Sequence, residues 1–151
     1  MKSTLLSFVF VLVAFAAFAQ SDKMVNWKYS SKKIADKTWE VQMTASIDDD
    51  YHLYAQQVGV DGPIPTTFTF TKNPLITLAG EVKESGKKVK KLEPIWGGSV
   101  NYYENTVTFT QVIKLKSDVK TSLAGKVNFM VCDEKHCLPP ADVNIKVSIG
   151  G

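Results

Sequence analysis

Two cysteines, Cys132 and Cys137, are the only ones in the 151-residue chain, and they stand in the run Cys132-Asp133-Glu134-Lys135-His136-Cys137-Leu138-Pro139-Pro140. Joined, they would close a small loop. A bridge over so short a loop restricts the unfolded chain by only about 2 kcal/mol in the chain-entropy account. A chain of this length has core enough without that help. The pair is therefore better explained as a redox group than as a staple. Thiol–disulfide exchange needs an accessible disulfide, or a thiol with enough thiolate at working pH. A loop of charged residues belongs at the surface, which supplies access. Lys135 and His136 favour a thiolate while Asp133 and Glu134 oppose it, so the spacing alone sets no thiol pKa. Pro139-Pro140 stiffen the exit and remove two backbone donors. The rival reading is a passive surface disulfide. A helical C-x-x-C arrangement of the thioredoxin-like kind is absent, so the expected scaffold is a different one.

Other constellations carry less. Met130, Cys132, His136 and Cys137 gather soft ligands within eight positions, a set that suits Cu(I). Against it, Met130 and Cys132 share one strand face while the others depend on the loop. There is no C-x-x-C-H haem motif. Asp48-Asp49-Asp50 lacks the ligand spacing of a calcium loop and reads as a polar turn. No Ser-His-Asp or paired-carboxylate arrangement supports hydrolysis. No cofactor is expected, because sulfur chemistry carries its own electrons.

The elements that must position the cysteines are strands. Met1-Lys2, the apolar stretch Leu5 to Phe18 interrupted only by Ser7, and Ala17-Phe18-Ala19 predict a signal peptide over 1–19 with Gln20 as the mature start. Residues 20–151 then have the size of one domain. The chain has 18 lysines, no arginine, 15 acidic residues and a formal charge of +3. So near-neutral a balance makes no electrostatic case for nucleic acid or an anionic membrane, and no segment after the signal peptide is apolar enough for stable membrane insertion. Lys87-Lys88-Val89-Lys90-Lys91, beside Gly86, reads as a solvated hairpin end.

Period-two alternation dominates and no helical stripe stands out. Trp39, Val41, Met43, Ala45 and Ile47 share one phase; Phe68 and Phe70 repeat the pattern. So do Val107 and Phe109, continued by Ile113 and Leu115. Val127, Phe129 and Val131 lead into the cysteine loop, and Val143, Ile145, Val147 and Ile149 follow it. These last two runs predict a hairpin with the cysteines near its closed end. Trp27, Trp39, Phe68, Phe70, Phe109 and Phe129 read as core, while Trp96 beside Gly97-Gly98 suits the flank of a groove. Turn signals at Asp48-Asp49-Asp50, Asp61-Gly62-Pro63, Asn73-Pro74, Ser85-Gly86, Gly97-Gly98 and Pro139-Pro140 separate the runs. Short strands punctuated this often predict an all-β, immunoglobulin-like antiparallel β-sandwich. The two distant cysteines that bridge true immunoglobulin sheets are missing.

The run Val131 to Pro140 closely resembles the active loop of the N-terminal periplasmic domain of the DsbD family. Ile47-Asp48-Asp49-Asp50-Tyr51-His52-Leu53-Tyr54 resembles that family's strand of aromatics beside the cysteines, and Asn101-Tyr102-Tyr103-Glu104 falls at the place of its cap loop. The resemblance runs from about Met24 to Ile149. It implies an immunoglobulin-like domain that exchanges disulfides with partners in the periplasm. By that resemblance Cys137 forms the mixed disulfide and Cys132 resolves it. Tyr102 and Tyr103 stand at the cap that shields the pair, and His52 and Tyr54 line the site. The implied partners are thioredoxin-like periplasmic redox proteins and a membrane-bound electron donor, met by a monomer. Four residues separate the cysteines where some family members have five, and Ser99-Val100-Asn101 stands in place of the acidic residues beside the cap aromatic in the family's best-known form. The signal peptide and the strand reaching the C-terminus favour a free-standing secreted version. The competing class is an immunoglobulin-like binding module whose disulfide braces a hairpin.

Overall fold

The computed structural model describes residues 21–151, so the expected signal segment 1–19 and Gln20 lie outside the described residues. Nine strands follow in order: β1 Val25–Ala35, β2 Thr38–Ile47, β3 His52–Tyr54, β4 Thr67–Phe70, β5 Ile76–Glu93, β6 Gly98–Leu115, β7 Thr121–Phe129, β8 Val131–Cys132 and β9 Ala141–Ile149. Short 3-10 turns occupy Ser21–Lys23 and Pro94–Trp96. The strands pair antiparallel in a six-stranded sheet (β1, β2, β3, β5, β6, β8) and a three-stranded one (β4, β7, β9). This is the expected all-β sandwich.

Alternation explains the packing, because successive side chains leave a strand on opposite faces. On β2, Val41, Met43 and Ala45 are fully buried while the intervening Gln42 and Thr44 are only half-buried. Phe109 and Ile113 of β6 meet Leu123, Val127 and Phe129 of β7 and Ile145 and Val147 of β9 in one core between the sheets. Trp27 lies among three aromatic rings, with centroids 5.4 Å from Phe129, 5.9 Å from Phe109 and 6.3 Å from Phe68.

Strand β6 is the rail of the large sheet. One edge pairs with β5 from Gly98 to Leu115; the other pairs with β2 over Thr106–Lys114 and with β3 at Tyr102 and Tyr103. Between those two partners Asn105 takes a left-handed conformation (φ 61°), which asparagine tolerates better than most residues. The Lys87–Lys91 run is not a hairpin end. It lies within β5, an outer strand, and Ser85-Gly86 marks an irregularity in register, not a turn. The hairpin instead closes at Pro94–Gly97, where Gly97 has φ 71°. Lysines along an outer strand discourage edge-to-edge association.

The β7–β9 hairpin forms as expected, with Phe129 opposite Ala141. Its closed end departs from a simple turn. After Phe129 the chain leaves the small sheet at Met130, and Val131–Cys132 joins the large one beside β3. Replacing Phe109 by alanine removes a fully buried ring and should lower the free energy of unfolding by about 3–5 kcal/mol, read from urea denaturation.

Candidate functional site

Two residues of backbone pairing set the orientation of the first cysteine. His52 opposes Cys132 and Leu53 opposes Val131; on the next strand Leu53 opposes Tyr103 and Tyr54 opposes Tyr102. Directly opposed side chains share a face, with Cβ atoms about 5 Å apart. Leu53, Tyr103 and Val131 therefore enter the main core, each 1% exposed or less. His52, Tyr54, Tyr102 and Cys132 take the other face. There Cys132 packs in a second apolar cluster with Tyr54, Val58, Val100, Tyr102 and Met130, flanked by Val60, Val89 and Trp96.

Cys132 and Cys137 are joined by a disulfide. Cys132 is 2% exposed, whereas Cys137 is exposed. The loop between them is held by its own polar groups. The Asp133 carboxylate accepts from the backbone N–H of Lys135 (2.7 Å) and of His136 (2.6 Å), and Asp133 N–H donates to the His136 carbonyl (2.9 Å). These bonds hold the Asp133 carboxyl below its ordinary value. At the loop's base Leu138 N–H donates to the Val131 carbonyl. The buried Ser21 hydroxyl accepts from Val131 N–H (3.3 Å) and donates to the Pro139 carbonyl (2.7 Å).

The disulfide lies in an open groove of about 1000 Å³ that also takes in His52, Tyr54, Tyr102 and Trp96. The His52 ring rests against Tyr102 at 4.3 Å between centroids, and its Nε2 is 3.4 Å from the Tyr54 hydroxyl. Burial lowers the His52 pKa, against the opposing pull of Glu104 and Glu93, so the ring favours its neutral form. Burial likewise raises Tyr54 and Tyr102. Trp96 packs against the apolar cluster that contains Tyr54. Its ring packs against the bare backbone of Gly62, where a side chain would collide with it. A smaller hollow of about 500 Å³ along Gln56–Pro65 includes neither cysteine.

The fold thus gathers Cys132, Cys137, His52, Tyr54 and Tyr102 in one place, and the groove also includes Trp96. It does not bring Tyr103 there. Adjacent strand residues point to opposite faces, and Tyr103 is 1% exposed in the main core, its hydroxyl pushed up to about 12 by burial and by Glu84. Tyr102 is a strand residue, 5% exposed, and the turn on the groove's rim is Pro94–Gly97, with Ile95 82% exposed. Sequence reasoning passed over Asp133 as a loop organiser, although an aspartate followed by backbone donors two and three residues on is a recognisable turn signal. Ser21 carried no signal, since its partners lie more than 100 positions away. With both sulfurs joined, the proposed Cu(I) ligand set has no thiolate in this form. Among the described residues no group of three or more His, Cys, Asp or Glu is arranged to hold a metal.

Comparison with known families decides the relationship. Residues 18–149 match the family described as thiol:disulfide interchange protein DsbD, N-terminal. The chain belongs to the DsbD N-terminal family. Solved DsbD and ScsB N-terminal domains share its fold at low identity. The reduced DsbD N-terminal domain of Neisseria meningitidis superposes with a TM-score of 0.54 at 19% identity, covering 88% of this chain and 91% of that one. The N-terminal periplasmic domain of ScsB from Proteus mirabilis gives 0.58 at 14%, covering 85% of this chain and 49% of that one. A chain from the complex between the DsbD N-terminal and PilB N-terminal domains of N. meningitidis gives 0.51 at 15%, covering 86% and 87%. No curated protein matches the sequence.

Two variants test how this DsbD-type loop is held. Ser21→Ala leaves the buried Val131 N–H without its acceptor and should cost about 1–3 kcal/mol of stability, measured by chemical denaturation. Asp133→Ala should lower the amide-exchange protection factors of Lys135 and His136 at pH 6. Since the folded carboxyl is depressed from 3.8, its contribution is complete above that value and lost as pH falls through the lower folded value. The gap between wild type and variant should therefore be flat at neutral pH and close in acid.

Proposed function

We propose that this domain performs thiol–disulfide exchange in the periplasm, passing reducing equivalents between partner proteins through Cys132 and Cys137. The observation that carries the reading is the asymmetry of the two sulfurs: an exposed Cys137 joined to a buried Cys132 in an open groove. A brace is a poorer account of this bond. It crosses no sheet interface, and the loop's stems are already tied by Leu138–Val131 and by Ser21. Family membership and the solved complex of the DsbD and PilB N-terminal domains support a role in which a second protein docks at the site.

The chemistry balances without a cofactor. A thiolate of a reduced partner attacks the Cys137 sulfur in line with the S–S bond, forming a mixed disulfide. The electron pair of the broken bond leaves on the Cys132 sulfur, which takes up a proton. The partner's second thiolate then attacks its own sulfur in the mixed disulfide and releases the Cys137 thiolate, which is protonated in turn. The partner leaves as a disulfide and the domain as a dithiol; the reverse sequence hands the electrons on. His52, Tyr54 and Tyr102 line the site as an apolar floor with two hydroxyls and a neutral imidazole. Tyr102 packs against Cys132 in that floor, and Trp96 and Ile95 at the Pro94–Gly97 turn flank the approach. The partners are thioredoxin-like periplasmic redox proteins and a membrane-bound electron donor, engaged by a monomer.

With a thioredoxin-like partner, Cys132→Ser should accumulate a stable mixed disulfide through Cys137, and Cys137→Ser should give none, as read on non-reducing gels. The wild-type bond should equilibrate with dithiol buffers at a potential above about −300 mV, where structural disulfides fall below that value. Exchange indifferent to both substitutions, or a bond that resists such buffers, would return the disulfide to a bracing role.

A further inference from the structure

The groove around the disulfide has a charge opposite to that of the chain as a whole. Asp48, Asp49 and Asp50 line it from the β2–β3 turn, Glu104 from β6, Asp133 and Glu134 from the cysteine loop, and Glu93 from the end of β5. Against these seven carboxylates the groove has two lysines, Lys91 and Lys135. Counting histidine as neutral, the local balance is minus five on a chain whose formal charge is +3.

Little of that negative charge is answered within the domain. Lys91 is paired with Glu93 at 3.0 Å, and Asp133 spends an oxygen on loop amides. Among the described residues, Asp48, Asp49, Asp50, Glu104 and Glu134 form no ion pair with a lysine. Three consecutive exposed aspartates and two further carboxylates therefore face a groove whose field lines are focused between protein walls. Such a field attracts cations and repels anions before any contact is made. It acts at the one place where a second sulfur has to arrive within bonding distance.

From this arrangement we infer that the groove selects partner proteins whose reactive cysteine is framed by lysine or arginine, and disfavours acidic ones. The inference rests on the exchange reading above and specifies the chemistry of the partner for that same site. The selection is kinetic: opposite fields raise the rate of encounter, by tenfold or more when steering is strong, and the gain is screened by salt. Ile95, 82% exposed on the groove's rim, adds a short-range apolar contact that salt does not screen.

The test uses two short cysteine peptides, one flanked by lysines and one by glutamates, as reductants of the oxidised domain. Each rate is divided by the same peptide's rate with a small neutral disulfide, which removes differences in thiolate fraction. At about 10 mM ionic strength, where charges interact over roughly 30 Å, the lysine peptide should react at least about tenfold faster. Near 1 M, where the range is roughly 3 Å, most of that advantage should vanish. The triple variant Asp48→Asn, Asp49→Asn, Asp50→Asn should reduce the preference for the lysine peptide at low ionic strength, and an undiminished preference would overturn the inference. Equal normalised rates at low salt, or a preference that salt leaves intact, would overturn the inference. Failure of dithiothreitol to open the bond would instead count against the exchange function itself, so the two readings fail separately.

Discussion

The antiparallel pairing of His52-Leu53 with Val131-Cys132 is a contact of two residues on each side, and the arrangement of the site depends on it. A strand inverts the direction of its side chains at every step. By docking Val131 into the core beside Leu53, the pairing obliges Cys132 to emerge on the opposite face beside His52. A slip of one residue would bury the next position and turn the sulfur into the sandwich. The full burial of Val131, Leu53 and Phe129 is thus what keeps the disulfide on the groove side of the sheet. Core packing and redox geometry are, at this point, the same constraint.

The rest of the architecture builds a groove around that fixed sulfur. The N-terminal part of β6, between β5 and β3, supports a second apolar cluster separate from the main core. That cluster keeps Cys132 dry, and the loop to Cys137 returns the second sulfur to solvent. Asp133 and Ser21 order the loop from opposite ends, one through its own turn and one from the start of the described chain. A domain organised in this way leaves one sulfur exposed and the other buried, the asymmetry on which the proposed exchange through a mixed disulfide rests.

Much of this was legible in the residues. The alternation of Val41, Met43 and Ala45, and of Val143, Ile145 and Val147, carries the strand assignment, because a half-buried strand writes its own period. The charged loop between the cysteines points to an exposed bridge, and the family resemblance puts His52 and Tyr54 beside it. Alternation also misleads where pairing is unknown. Tyr102 and Tyr103 are adjacent and chemically alike, yet only Tyr102 reaches the groove. Gly86 among lysines reads as a turn, yet it lies inside a strand whose register shifts there. Local composition cannot distinguish a turn from an irregular edge strand, since both are exposed, polar and tolerant of glycine.

By itself the sequence determined the class of fold, the approximate strands and which two sulfurs can pair, because these follow from period, composition and the presence of only two cysteines. Tertiary structure decided which sulfur is buried and which exposed, which of two neighbouring tyrosines meets the site, and that carboxylates from separate elements crowd one groove. Those properties depend on segments far apart in the chain coming together: Ser21 bonds Val131, Gly62 packs under Trp96, and Asp48 and Glu134 line one groove. No local pattern encodes them, since each is set only when the sheets have paired and their faces have been assigned.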